Sequence, residues 1–132
     1  MRIYDTTQTQ RWIQELAQTL NLSEEQAYTA LRSTLHRLRD RMQVDEATDL
    51  ASQFPLLLKG IYYDGYTPAG KPEKMDDKEF ISKVHADLNN DPDISPRSVV
   101  DKTLTFLRGK LVSGQAEHVR ANLPKNLEEL MK

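Results

Sequence analysis

The feature that most constrains this chain is an internal repeat, because a chain that repeats itself must stack one kind of unit on another. Shifted by 69, residues 34–62 align without a gap on residues 103–131. Seven of those 29 positions are identical: Thr34/Thr103, Leu35/Leu104, Leu38/Leu107, Arg39/Arg108, Ala47/Ala116, Pro55/Pro124 and Leu58/Leu127. With a shift of 68, Trp12, Ile13, Leu16 and Leu20 fall on Phe80, Ile81, Val84 and Leu88. The sequence therefore reads as two copies of one unit, 7–62 and 76–131, joined by a linker, 63–75. That linker holds Gly65, Pro68, Gly70 and Pro72, the chemistry of a loop.

Each copy predicts three helices. The first begins at a capping-box pattern, Thr7-x-x-Gln10 or Asp76-x-x-Glu79, and buries the stripe just aligned. The second opens at Ser23-x-x-Gln26 or Ser95-Pro96, and its stripe is Ala27, Leu31, Leu35, Leu38, Met42 or Val100, Leu104, Leu107, Leu111. The third starts near Asp45 or Ser113. It buries Ala47, Leu50, Phe54, Leu57/Leu58 and Ile61, or Val119, Leu123, Leu127 and Leu130. Pro55 and Pro124 must kink or restart it. No segment alternates with the two-residue period of a strand. The expected fold is all-α: a bundle of about six main helices from two pseudo-repeated three-helix halves, forming one domain over 1–132.

The most specific stretch is Gln53-Phe54-Pro55-x-Leu57-Leu58-Lys59-Gly60-Ile61-Tyr62-Tyr63-Asp64-Gly65-Tyr66. It follows Leu31-Arg32-x-x-Leu35-x-x-Leu38-Arg39-Asp40-Arg41 and Asp45-Glu46-Ala47-x-x-Leu50-Ala51, and precedes Glu79-Phe80 at a helix start. Together these resemble the bacterial family known as domain of unknown function 2267, over nearly the whole chain. The resemblance implies an all-helical fold and brings no catalytic residue with it. Where this chain has Tyr66, the family often carries tryptophan.

Composition narrows the function. There is no cysteine, which excludes disulfides, thiolate-bound metal and a cysteine nucleophile, and a reducing cytoplasm is expected. The net charge of −2 provides no global field for nucleic acid or an anionic membrane. The first residues lack an apolar signal core, and Phe54-Pro55-Leu56-Leu57-Leu58 is far too short to span a bilayer. His36, His85 and His118 are isolated, and no nucleophile elbow or phosphate loop occurs. Neither an enzyme nor a cofactor is expected.

Two clusters remain as candidate sites. Lys59, Tyr62, Tyr63 and Tyr66 put three of five tyrosines within five residues at the junction of the copies, either to bind a partner or to fill the core. Arg32, His36 and Arg39 share one side of the second helix and offer phosphate contacts, although Asp40 interrupts the run and a solvated face paired with acids explains them as well. Asp87-x-Asn89-x-Asp91-x-Asp93 imitates a calcium loop, but Pro92 stands where that loop needs glycine and Ser98 where it needs glutamate. The leading expectation is a non-enzymatic module binding an unknown protein partner, or itself, through Lys59, Tyr62, Tyr63 and Tyr66. The alternatives are a nucleic-acid-binding regulatory domain using Arg32, His36 and Arg39, or a small-molecule pocket between the halves lined by the tyrosines.

Overall fold

The computed structural model describes residues 6–128. Among them the chain forms seven helices and no strand: α1 (Thr7–Leu20), α2 (Glu24–Asp40), α3 (Val44–Ala51), α4 (Leu56–Tyr63), α5 (Asp77–Asp87), α6 (Pro96–Lys110) and α7 (Ser113–Ala121). The protein is an all-α bundle. The expected third helix is two helices here, because Pro55 sits at the N-cap of α4, where its missing amide interrupts no hydrogen bond. Leu130 and Met131, which the repeat aligns with Ile61 and Tyr62, lie outside the described residues.

Side-chain caps set three of the seven helix starts. Ser23 and Gln26 form a complete capping box: the Gln26 amide donates to Ser23 Oγ at 3.1 Å and the Ser23 amide to Gln26 Oε1 at 3.1 Å. Asp76 accepts from the Glu79 amide at 2.8 Å, and Ser95 caps α6 with Pro96 at its first position. The expected box at Thr7 does not form. The N-cap is Thr6, whose ψ of 0° is not the extended geometry that aims a side chain at the first-turn amides, and the Gln10 amide bonds to the Thr6 carbonyl instead.

The helical stripes converge on one continuous core. Leu16, Leu31, Leu35, Leu38, Met42, Leu50, Phe80, Leu104, Leu107 and Leu127 are all essentially inaccessible. α2 is its axis and packs on α1, α4, α5 and α6, while α1 also packs on α6 and α3 on α7. α2 is therefore covered on its polar side too: Ser33, Thr34, His36, Arg39 and Asp40 are buried. Of the arginine face expected to be solvated, His36 and Arg39 are covered by neighbouring elements, while Arg32 and Arg37 stay partly exposed and pair with Asp64 and Asp87.

A line of aromatic rings crosses the bundle. Phe106, Trp12, Phe54, Tyr62, Tyr63 and Tyr66 touch in that order at centroid distances of 5.2–6.3 Å, the first four contacts edge to face. Phe106 packs against Trp12, and the Lys110 ammonium lies 5.2 Å from its ring. The line joins α6, through α1, to the start of the linker.

Three consecutive leucines open α4 and only Leu58 belongs to the core; Leu57 is 42% exposed and Leu56 57%. Successive helical residues turn by about 100°, so no single face can bury all three. Replacing Leu58 with Ala is expected to cost about 2–5 kcal/mol in urea unfolding. Its neighbour exchange, Leu57→Ala, should stay within about 0.5 kcal/mol. Equal losses at the two positions would contradict this placement of α4.

Candidate functional site

The structure brings the tyrosine cluster and the arginine stripe to one corner. The reason lies in the end of α4. A helix leaves its last carbonyls without partners in the helix, and they need donors when the end is covered. Arg32, His36 and Arg39, four and three residues apart on α2, run alongside that end. His36 Nε2 lies 2.8 Å from the Ile61 carbonyl oxygen, which can only accept, so the ring carries its proton on Nε2. Arg39 Nη1 donates to the carbonyls of Tyr62 (2.6 Å) and Asp64 (2.8 Å), while its Nε donates to Asp40 Oδ1 at 3.0 Å. Arg32 Nη2 reaches the Asp64 carboxylate at 3.0 Å. Cations here also oppose the negative end of the helix dipole.

Immediately beyond α4 the chain reverses. Asp64 (φ −57°, ψ 123°) and Gly65 (φ 75°) form the centre of a type II turn, closed by the Tyr66 amide on the Tyr63 carbonyl at 3.0 Å. The turn brings the Tyr66 ring back over the Arg39 guanidinium, 5.3 Å away. Burial holds His36 below its ordinary pKa, and Arg39 and Arg32 add to that against the opposing Ile61 hydrogen bond, so the ring is neutral at pH 7. Burial likewise pushes the Tyr62 phenol far above its ordinary range. It stays protonated and donates to the Ala47 carbonyl at 2.7 Å, which ties α4 to α3.

Neighbouring basic groups are engaged in the same way. Arg41 donates to the carbonyl of Asn122, the C-cap of α7, at 2.8 Å and to the Met75 carbonyl in the linker. The Glu73 amide donates to the Asp40 carbonyl at 2.7 Å, and Lys71 pairs with Glu73 at 3.0 Å. Arg37 pairs with Asp87 of α5, whose carboxylate also accepts from Ser33 Oγ at 2.6 Å. Ser33 and His36 thus serve different partners and do not form a nucleophile–base pair.

Of the residues singled out in the sequence, Tyr62, His36 and Arg39 are buried and offer no docking surface. Arg32 is half-exposed and paired. Lys59, Tyr63 and Tyr66 are partly exposed. On the outside of α4 they are joined by Leu56 and Leu57, which the periodicity had left in or near the core stripe. The signal that could have found them is the triplet of leucines itself. From Ser52 to Tyr63 the only charged residue is Lys59, which makes no ion pair among the described residues.

The family follows from the match over residues 9–130 to the model described as "Uncharacterized conserved protein (DUF2267)". This chain belongs to the DUF2267 family. Comparison with curated proteins gave no match. Elsewhere in this DUF2267 chain, the calcium-like segment is used internally. Asp87 is held by Ser33 and Arg37, and Asp91 Oδ1 accepts from the Asp93 amide at 2.9 Å. Among the described residues no three His, Asp or Glu side chains are placed to hold a metal ion. Clefts of about 630 Å³ beside Ser23, Gln26, Asp87 and Asn89, and of about 550 Å³ beside Arg41, Met75 and Pro124, lie away from the tyrosines.

Replacing Arg39 with Met removes the donors of two carbonyls and strands Asp40, an expected loss of about 3–5 kcal/mol in urea unfolding. Arg39→Lys should recover little, since an ammonium cannot reproduce the planar fork. Full stability of the lysine variant would refute the forked contact. Tyr62→Phe deletes a single hydrogen bond and should cost about 1 kcal/mol.

Proposed function

We propose that this chain is a non-enzymatic protein-interaction module of the bacterial cytoplasm, docking through the outer side of α4. The residues that carry the contact are Leu56, Leu57, Lys59 and Tyr63, continued by Tyr66. The observation behind this reading is the pair of solvent-facing leucines on the same short helix as a half-exposed tyrosine and a lysine that makes no ion pair among the described residues. Exposed apolar side chains in a group mark interaction sites more often than single ones do. Tyrosine and leucine around one cation suit a protein partner that presents an apolar ridge beside a carboxylate. The absence of cysteine fits a reducing compartment, and among the described residues no helix is long and apolar enough to cross a membrane.

The nucleic-acid alternative would require Arg32, His36 and Arg39 to exchange their internal acceptors for phosphates, and no feature favours that exchange. The small-molecule alternative receives no support from the two clefts above, which the tyrosines do not line.

The reading is tested with Leu56→Glu combined with Leu57→Glu, a double change in exposed side chains that leaves the core intact. Immobilised wild-type protein should retain a stoichiometric protein partner from source lysate after nuclease treatment. The purified partner should then bind the double variant and Tyr63→Ala at least about tenfold more weakly by titration calorimetry, about 1.4 kcal/mol. Sedimentation of both chains alone separates self-association, which the double variant should also abolish. Binding that is unchanged in the double variant, or that disappears with nuclease, overturns the proposal.

A further inference from the structure

Three side chains of α2 hold the end of α4, and only one of them can change its charge near neutral pH. Arg32 and Arg39 remain cationic, whereas His36 is an imidazole with an ordinary pKa near 6.5. We propose that His36 is an acid-sensitive latch: protonation of its ring releases the last turn of α4 and the turn at Tyr63–Tyr66. The inference rests on the geometry of this corner and not on α4 being a docking surface.

The surroundings of the ring argue for release and not for accommodation. His36 is 7% exposed, and its Nε2–H already occupies the Ile61 carbonyl. The charges that act on it are Arg39, Arg32 and Asp40, all on its own helix. From α4 it meets the Ile61 carbonyl, and the Asp64 carboxylate that follows α4 is bound to Arg32. Asp40 is taken by Arg39 at 3.0 Å and approached by Lys71 at 4.0 Å. Arg37, next along the helix, is paired with Asp87 of α5. A second proton on the imidazole would thus place a third cation beside two guanidiniums, which are already paired with the nearby carboxylates Asp40 and Asp64.

The direction follows from linkage. The closed corner binds the His36 proton more weakly than the open one, so stability of the closed form is complete above about pH 6.5 and declines as the pH falls below it. The decline stops at the depressed pKa of the closed form. Each pH unit in that window can shift the closed-to-open ratio by at most about tenfold. Between pH 6.5 and pH 5 the limit is about thirtyfold.

Hydrogen exchange of the intact chain reads this directly. The reporters are the amides of Asp64 and Tyr66, which bond to the carbonyls of Gly60 and Tyr63. Their protection, corrected for the intrinsic pH dependence of exchange, should fall between pH 7.5 and pH 5, by at most about thirtyfold. Protection within α5 and α6 should stay constant. In His36→Gln, whose side-chain amide can still donate to Ile61 but does not titrate, the two reporters should be flat over the same range. Reporter protection that is constant in the wild type, lost equally throughout the chain, or lost to the same degree in His36→Gln overturns the proposal. If that variant fails to fold, the wild-type ring decides by NMR. Its Nε2–H tautomer at pH 7.5 should disappear with the same midpoint as Tyr66 protection, and a different midpoint rejects the latch.

Discussion

An eight-residue helix is too short to persist in water on its own, and its carbonyl end must be completed by something else. In this protein the completion comes from a different helix. Arg39, rooted in the central helix, reaches across to two carbonyls at the end of α4, and His36 reaches a third. The same guanidinium holds Asp40 and carries the Tyr66 ring. That one contact fixes where α4 stops and how the linker leaves it. Arg41, the C-cap of the central helix, repeats the solution at the end of α7. A buried guanidinium is expensive to desolvate, and here its cost is offset because several of its N–H groups meet fixed acceptors at once.

The aromatic line and the capped corner support each other. Tyr62 stands in both: its ring touches Phe54 and Tyr63, its hydroxyl fastens α3, and its carbonyl receives Arg39. The tyrosines that looked like a ready-made binding cluster are consequently graded by depth. Tyr62 is core, while Tyr63 and Tyr66 are partly exposed, Tyr66 being also packed against the Arg39 guanidinium.

Much of the fold is written in side chains and could be read from them. The stripes of α2 and α6, the box at Ser23 and the cap at Ser95-Pro96 each depend on residue type and spacing, which a sequence displays. The cap of α1 escaped because Thr6 and Thr7 are the same residue and only their backbone angles decide between them. The role of the arginines escaped for a deeper reason: their acceptors are main-chain carbonyls, which no letter of the sequence marks. Reading Arg32, His36 and Arg39 as one group was sound in spacing, yet the surface they seemed to form is an internal joint. Leu57 was misassigned because a short helix restarted by proline has no long stripe against which to set its phase.

Recognition through the main chain also governs how such a protein can vary. The carbonyls of Ile61, Tyr62, Asp64, Met75 and Asn122 present the same acceptor whatever side chain stands on the same residue. Exchanges on the outside of α4 therefore leave the grip of α2 untouched so long as the backbone keeps its path. Arg39 has no such latitude, because every donor it supplies is specific to a guanidinium. One side of the joint is frozen and the other is open to drift. A scaffold divided in this way can acquire a new binding preference by rewriting a few outward residues, with no repacking beneath them.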